Sequence, residues 1–183
     1  MQPKRRGPSA SEKKIRSRIN SEIFRKKIKK AQKAELSTVD LRQMLKNMSS
    51  FLGVFACDQL KFIKSKFSIP KYLIVNLDPS NSPGSHWISL RIDRKSVEIF
   101  DSLGYNYRIW KILPLPLLIF LNSLRKTREI IFSPVLQSKS DTICGLFCVY
   151  FVLFRQINSF SQCISVFSSS LDLNKTIINK LLS

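Results

Sequence analysis

Cys144 stands where a polar loop meets a strongly apolar segment, and this position suits a reactive thiol. The loop covers residues 137–142 and the apolar segment covers residues 143–154. A cysteine attacks as the thiolate, and an ordinary thiol is only slightly ionised at neutral pH. If the apolar segment is a helix that begins at Cys144, its unpaired N–H groups and its dipole stabilise the anion. We therefore predict that Cys144 is a nucleophile carried by a buried helix.

His86 is the only histidine of the 183-residue chain. An imidazolium beside Cys144 can pair with the thiolate and later return a proton to a leaving amine. A carboxylate that accepts a hydrogen bond from the other ring nitrogen fixes the tautomer and orientation of the imidazole. Asp101 is the acid best placed for this task. We predict that His86 is the general base and acid and that Asp101 orients it.

Gln137 precedes Cys144 by seven residues, in the loop that leads to the predicted helix. When a thiolate attacks a carbonyl carbon, the carbonyl oxygen becomes an oxyanion that needs hydrogen-bond donors. The side-chain amide of Gln137 is suited to this role. The candidate set of His86, Asp101, Gln137 and Cys144 predicts acyl transfer through a covalent acyl-enzyme.

Each of these residues also has a structural interpretation. Cysteine is among the most frequently buried residue types, so Cys148 and Cys163 are interpreted as core residues, whereas Cys57 is left undecided with the core as its default. Cys144 differs because a polar loop leads to it and because Gly145 beside it leaves the start of the helix open. Taken alone, His86 could belong to ordinary packing and residues 101–104 could be a simple turn.

A β-hairpin is predicted to bring His86 and Asp101 together. Residues 87–92 and 97–100 alternate, or nearly so, between apolar and polar side chains, and residues 93–96 between them form a turn. In an antiparallel ladder, the residue before the first strand and the residue after the second lie at the same end. The hairpin itself therefore places the histidine beside the acid.

Further elements complete the predicted fold. Residues 72–77 and 130–135 are short apolar runs that predict strands. Ser37 or Thr38 is suited to cap a helix that continues to Met48. Additional helices are predicted at residues 108–125, 143–154, 163–167 and 175–182.

The positive charge of the chain is concentrated at its N-terminus. The formal net charge is +19, from 31 basic and 12 acidic residues, and 13 of the basic residues lie within residues 1–34. Such a segment buries too little apolar surface to offset its ordering entropy. Residues 1–35 are therefore predicted to be a basic tail, disordered or partly helical, which could serve as a nuclear import signal or contact DNA. Residues 36–183 form the predicted folded domain that carries the candidate catalytic residues.

The sequence argues against several classes of protein. It has no Cys-x-x-Cys pair and no glycine-rich phosphate loop, so we expect neither a metal nor a cofactor. The most apolar runs, residues 112–121 and 143–154, are too short to span a bilayer. No leader segment is apparent at the N-terminus, and four cysteines are too few for the disulfide scaffold of a small secreted protein. We expect a soluble, intracellular protein that acts as a monomer.

Several motifs occur in an order that resembles the adenain-like cysteine proteases. They are residues 84–87 (Gly-Ser-His-Trp), residues 100–104 (Phe-Asp-Ser-Leu-Gly), Gln137 and residues 144–148 (Cys-Gly-Leu-Phe-Cys). Residues 51–55 and Asp58 are similar to the substrate-side segment near the N-terminus of the adenain type. The group includes the adenovirus protease, related enzymes of large DNA transposons and the proteases that remove the ubiquitin-like modifier SUMO.

The resemblance implies an α+β fold in which a central buried helix carrying the nucleophile packs on a small mixed sheet. The catalytic set that it implies is the one named above: His86, Asp101, Gln137 and Cys144. It further implies that Trp87 shapes the site. Gly53 or Gly84 would let a narrow groove accept small residues, such as glycine, before the scissile bond.

The expected function is that of a thiol endopeptidase that processes viral or transposon structural precursor proteins at glycine-containing sites. Its partner is then a protein or peptide with small residues near the scissile bond, and it acts in the host nucleus or the virion. One alternative is a deconjugating or processing protease for a ubiquitin-like modifier of the SUMO type. Another is a catalytically silent, nucleic-acid-binding protein on a protease-like scaffold.

Overall fold

A five-stranded mixed sheet forms the centre of the fold. The computed structural model describes residues 7–31, 34–63, 68–104 and 113–183. The strands lie in chain order across the sheet: β1 (Phe51–Ala56), β2 (Lys71–Asn76), β3 (Trp87–Ile92), β4 (Ser96–Phe100) and β5 (Glu129–Phe132). The outer pairs β1–β2 and β4–β5 are parallel, whereas β3 is antiparallel to both of its neighbours.

Helices cover both faces of this sheet. They are α1 (Ala10–Ile19), α2 (Glu22–Ala31), α3 (Thr38–Leu45), a 3₁₀ helix (Cys57–Phe62), α4 (Leu115–Arg125), α5 (Cys144–Phe154), α6 (Phe160–Ser165) and α7 (Leu171–Leu181). Every residue of α5 from Cys144 to Leu153 is buried. The predicted α+β fold, with a buried central helix on a small mixed sheet, is confirmed. None of the helices in the described ranges has the length and apolar composition needed to cross a membrane.

The alternation of side chains along the strands divides the apolar residues into two cores. Successive strand residues point to opposite faces of a sheet. On β2, Tyr72 and Ile74 therefore join the core that contains α5. Leu73 and Val75 join the second core, between the sheet and α4.

The predicted elements agree with the observed ones within a few residues at their ends. The strand predicted at residues 72–77 is β2, the hairpin is formed by β3 and β4, and β5 ends before the predicted limit of residue 135. Ser37 is the N-cap of α3. The helix predicted over residues 108–125 begins at Leu115 within the described part of the chain, and residues 108–112 lie outside it.

The N-terminal segment forms two helices where the structure describes it, which agrees with the partly helical alternative of the prediction and not with the disordered one. Ile15, Ile19, Phe24 and Ile28 recur at helical spacing on α1 and α2, and all four are buried in the core that contains α5. The average composition of the segment conceals this apolar stripe, because lysines and arginines occupy the positions between its members. Burial of the stripe supplies the stabilisation that composition alone did not predict.

An acidic residue ties α2 to α3. Asp40 is only 2% exposed, and its two carboxylate oxygens lie 2.5 Å from the Nζ atoms of Lys27 and Lys30. The same carboxylate accepts a hydrogen bond from the backbone N–H of Ser37. Burial by itself raises the pKa of Asp40, but these donors outweigh burial and hold the pKa well below its usual range. The basic helices are thus fastened to α3 by a buried carboxylate.

A buried ion pair fixes the far end of α5. Arg155, just after the helix, donates from Nε and Nη2 to the two carboxylate oxygens of Glu98 on β4, each at 2.8 Å. Breaking such a buried pair by removing one partner typically costs about 3–5 kcal/mol. The pair therefore sets the position of α5 along β4, which is the strand that leads to Asp101.

Candidate active site

The hairpin of β3 and β4 brings His86 and Asp101 into contact, as the alternation of its residues predicts. Ser89 pairs with Phe100 in the antiparallel ladder. The residue before β3 and the residue after β4 consequently lie at the same end. His86 Nε2 is 2.6 Å from Asp101 Oδ1, and both side chains are buried.

Two groups that sequence reasoning missed hold Asp101 in place. Ser133 Oγ accepts a hydrogen bond from the backbone N–H of Asp101 and donates to its carbonyl oxygen, both at 2.8 Å. The backbone N–H of Leu103 donates to Asp101 Oδ1 at 2.9 Å. A single serine after β5 forms no recognisable motif, so only its contacts in the folded chain identify it as a positioning residue.

Cys144 is the first residue of α5, as predicted, and its side chain lies within hydrogen-bonding reach of the His86 ring. No side chain caps α5. In contrast, Ser9, Ser37 and Ser159 cap α1, α3 and α6. Because the first N–H groups of a helix lack intrahelical acceptors, those of α5 can stabilise a thiolate or an oxyanion.

The surroundings of His86 favour its charged form. Burial by itself lowers the pKa of His86, but the hydrogen bonds and electrostatic interactions with Asp101 and Cys144 outweigh burial and raise the pKa to about 9. Burial raises the pKa of each of the other thiols: Cys57, Cys148 and Cys163. All three lie in the two cores, as predicted for Cys148 and Cys163 and as the default for Cys57.

The raised pKa of His86 predicts a defined pH dependence of stability. The folded state binds the proton more tightly than the unfolded state, so the stabilisation is complete below about pH 6.5 and is lost as the pH rises through about 9. A shift of this size corresponds to roughly 3 kcal/mol. We expect the difference in the free energy of unfolding between the wild type and His86→Gln to shrink by about this amount between pH 6 and pH 9.5. Urea titrations at several pH values measure it, and a difference independent of pH would contradict the assignment of a charged imidazole.

Gln137 is held by hydrogen bonds to both of its side-chain ends. Ser102 Oγ donates to Gln137 Oε1 at 2.7 Å, and Gln137 Nε2 donates to the carbonyl oxygen of Asp141 at 2.5 Å. An amide nitrogen carries two hydrogens, so the second can serve an oxyanion. Residues 101–104 do form a turn, in which the backbone N–H of Gly104 donates to the carbonyl oxygen of Asp101. Within this turn, Ser102 links the strand of the acid to the predicted oxyanion donor.

Replacing Gln137 by alanine is expected to lower kcat by about 10²- to 10³-fold with little change in KM, because the oxyanion forms only as the reaction proceeds. Steady-state kinetics on a peptide substrate measure this split. Gln156→Ala is a matched control, since Gln156 is an exposed glutamine that bonds only to backbone carbonyls at the end of α5. Equal losses in both variants would exclude a specific role for Gln137.

A cleft of about 520 Å³ is lined by residues that are close to His86 in the chain, although His86 itself does not line it. Gly84 and Trp87 line it, together with residues of α3, β1 and β2. Gly84 has φ +91°, and a Cβ at this position would lie 2.4 Å from Asn76 Nδ2, so the backbone requires glycine. Two of the three predicted substrate-binding residues are thus placed together, next to His86.

Gly53 does not line this cleft among the described residues. Its neighbour Val54 and also Ala56 line the cleft, whereas a Cβ at Gly53 would point to the ring of Phe55, 3.2 Å away. Since adjacent strand residues face opposite sides, Gly53 belongs to the other face of β1. Gly53 thus lies apart from this cleft, and its contact with a substrate stays a prediction.

Gly145 is covered by another segment, which corrects the interpretation that it leaves the start of α5 open. A Cβ at Gly145 would lie 3.2 Å from Leu36 Cβ. The carbonyl oxygen of Leu36 also accepts a hydrogen bond from Trp87 Nε1 at 3.2 Å. The segment that precedes α3 therefore contacts both the helix of Cys144 and the residue that follows His86.

Comparisons with known sequences agree with this geometry. A sequence model of the family described as adenovirus endoprotease matches residues 51–173, from β1 into α7. A protease of bovine adenovirus 7 is 33% identical, over 62% of this chain and 61% of the relative. The chain thus spans less than two thirds of the length of that relative. Residues 7–50, with α1, α2 and α3, precede the part that the family model matches.

A comparison with one solved structure shows the same fold. The crystal structure of a selenomethionine-labelled ASFV protease has a TM-score of 0.51 and 16% identity, and the similarity covers 80% of this chain and 67% of that protein. The SUMO protease Ulp1, with its catalytic cysteine oxidised to a sulfinic acid, has a TM-score of 0.43 and 11% identity, over 97% of this chain and 95% of Ulp1.

Proposed function

The chain belongs to the adenovirus endoprotease family, and we propose that it is a thiol endopeptidase that matures viral or transposon structural precursor proteins at glycine-containing sites. Family membership places it among the cysteine peptidases, a class of hydrolases. The observation that carries the proposal is the position of His86, which bonds Asp101 through Nε2 and lies within hydrogen-bonding reach of Cys144.

In the proposed reaction, the Cys144 thiolate attacks the carbonyl carbon of the scissile peptide bond. The resulting oxyanion accepts hydrogen bonds from Gln137 Nε2 and from N–H groups at the start of α5. His86 then donates its proton to the amide nitrogen, the C–N bond breaks, and the amine leaves while a thioester remains on Cys144. Neutral His86 next takes a proton from water, and the hydroxide displaces Cys144 to release the carboxylate product.

The burial of the reacting groups supports glycine near the scissile bond. Cys144 is 6% exposed and His86 is 4% exposed. The cleft beside Trp87 is also bounded by Gly84. An acyl segment that reaches the sulfur under these conditions must be slim, and residues without side chains meet this requirement.

A protease for a ubiquitin-like modifier is the alternative within the same chemistry. Two suicide probes separate the two: a short glycine-ending peptide and a whole SUMO-type modifier, each with a thiol-reactive C-terminus. We expect the peptide probe to label Cys144, with Cys144→Ala as the unlabelled control. Much faster labelling by the modifier probe would favour the deconjugase. Labelling by neither probe would favour the catalytically silent, nucleic-acid-binding protein.

We also propose that the N-terminal helices contact DNA. Their apolar stripe lies in the core, and basic residues occupy the exposed side. Three exposed positions can be neutralised without removing the partners of Asp40: Arg25, Lys26 and Lys29. Changing all three to glutamine is expected to reduce the salt dependence of DNA binding. The slope of the logarithm of the binding constant against the logarithm of salt concentration should fall by up to about three units, because each phosphate contact contributes about 0.9.

Fluorescence anisotropy with a duplex of random sequence measures this slope. The matched control neutralises three exposed basic residues outside the helices: Arg94, Lys95 and Lys126. An unchanged slope in the first variant, or an equal change in the control, would contradict the proposal that these helices contact DNA.

The same basic clusters favour action in the host nucleus or the virion. Clusters of lysine and arginine occur at residues 4–6 and 25–30, and such clusters are typical of nuclear import signals. Imaging of the tagged chain with and without residues 1–6 tests the nuclear assignment, which a purely cytoplasmic signal in both forms would contradict.

A further inference from the structure

A second cleft lies against Gln137. Its volume is about 530 Å³, and the described residues that line it include Leu103, Gly104, Val135, Gln137, Lys139 and Leu171. It shares no lining residue with the cleft beside Trp87. One cleft is thus lined by chain neighbours of His86, and a separate cleft is lined by Gln137 itself.

The chain connects this second cleft directly to the reacting groups. Leu103 and Gly104 follow the acid and the serine that holds Gln137, and Gln137 itself forms part of the wall. A peptide whose scissile carbonyl lies at Cys144 extends in two directions, with the acyl part on one side and the leaving amine on the other. Since the acyl part occupies the cleft beside Trp87 in the function proposed above, the leaving part extends toward Gln137.

The second cleft offers a fixed apolar surface. The side chain of Val135 is 47% exposed, and Leu103 and Leu171 are partly exposed. Gly104 has φ +55°, and a Cβ there would lie 2.6 Å from the backbone nitrogen of Val135, so the two segments are in close contact. An apolar side chain held in a concave site adds binding energy when a ligand covers it. The exposed Lys139 disfavours a basic ligand group at the same place.

We propose that this cleft is the subsite for the segment after the scissile bond, and that it selects an apolar, non-basic side chain there. The inference rests on the proposed endopeptidase function. It makes Val135 and Lys139 specificity-determining residues for the leaving side, whereas Trp87 and Gly84 act on the acyl side. The preferred substrates are then precursor proteins with glycine before the cleaved bond and an apolar residue such as leucine or valine shortly after it.

A peptide library tests this assignment with the full chain. The library has fixed glycines before the bond and three randomised positions after it, and sequencing of the released amines gives the preference at each position. We expect the wild type to enrich apolar residues over lysine by about 10-fold at one position, which is a usual size for an apolar contact. Val135→Asp should abolish the enrichment of apolar residues at that position, and Val135→Ile should keep it.

Two further variants sharpen the result. With Lys139→Glu, we expect peptides that have lysine after the scissile bond to be accepted instead of disfavoured. A loss of protein stability cannot produce this change of preference. Val166→Asp is the matched control, because Val166 is a 42% exposed valine outside both clefts. Cleavage without selectivity after the bond, or identical profiles for wild type and Val135→Asp, would overturn the subsite and leave the endopeptidase intact. Absence of any cleavage that depends on Cys144 would overturn the endopeptidase, and the subsite with it.

Discussion

Replacing Cys144 by alanine is expected to lower kcat by about 10⁶-fold, which is the size of effect seen when the nucleophile of a triad is removed. The reason is chemical, since alanine cannot form the thioester through which the bond is broken. Turnover of a glycine-containing peptide or a precursor protein measures the loss. Binding of the same peptide to Cys144→Ala is expected to persist, because Trp87 and Gly84 are unchanged.

The other cysteines provide matched controls for this variant. Cys163 is buried, burial raises its pKa to about 11, and it contacts the phenol of Tyr150 rather than His86. Cys163→Ala is therefore expected to cost stability and to keep kcat. A thiol reagent at pH 6.5 should modify Cys144 far faster than the other three thiols in the folded protein. Equal modification rates, or full activity of Cys144→Ala, would refute the nucleophile.

Replacing His86 by alanine is expected to lower kcat by a similar factor, because members of a catalytic unit act together and their effects do not add. The variant loses the charge that stabilises the thiolate as well as the acid that protonates the leaving amine. We therefore expect the modification of Cys144 at pH 6.5 to slow to the rate of an ordinary thiol. Single-turnover kinetics and alkylation rates, measured on the same sample, separate the two losses.

Added imidazole provides an internal check on the histidine variant. The alanine substitution leaves a space beside Asp101, and a free imidazole that enters it can restore part of the activity. Rescue that increases with imidazole concentration and requires Cys144 would support proton transfer at this position. Activity of His86→Ala close to that of the wild type would show that another group acts as the base.

The part of the candidate site that depends on local structure was predictable from the sequence. His86 and Asp101 are joined by one hairpin, and the period of two in its strands determines which ends meet. The position of Cys144 at the start of an apolar helix was also predictable, because the length and composition of residues 143–154 admit few alternatives. The packing of this helix against the hairpin could be predicted only from the resemblance of the motifs to a known family. No local pattern in the sequence predicts it.

The supports of the site were not predictable, because they depend on contacts between distant segments. Ser133 and Ser102 act through hydroxyl groups whose partners lie 32 and 35 residues away in the chain. Leu36 acts through a backbone carbonyl and through its fit against Gly145, and neither property is visible in residue type. Such contacts appear only when the chain is folded.

The N-terminal helices show a different limit of sequence reasoning. Net charge and average composition favoured a solvated tail, while the spacing of four apolar residues contained the contrary information. In a segment that consists mainly of lysine and arginine, the periodicity of the few apolar positions is a better guide than the mean. The exposed side of the same helices still carries the charge on which the prediction of DNA contact depends.

The turn between β3 and β4 is far from the reacting atoms, yet its length controls their alignment. β3 has six residues, so the turn lies about 20 Å along the sheet from His86 at the usual rise per residue. The backbone N–H of Asp93 donates to the carbonyl oxygen of Ser96, and Arg128 Nε donates to the carbonyl oxygen of Asp93 at 2.7 Å. One residue more or less in this turn would shift β3 against β4 and separate His86 from Asp101 with every catalytic side chain still present. For the alignment of the site, the number of residues in this turn therefore matters more than their identity.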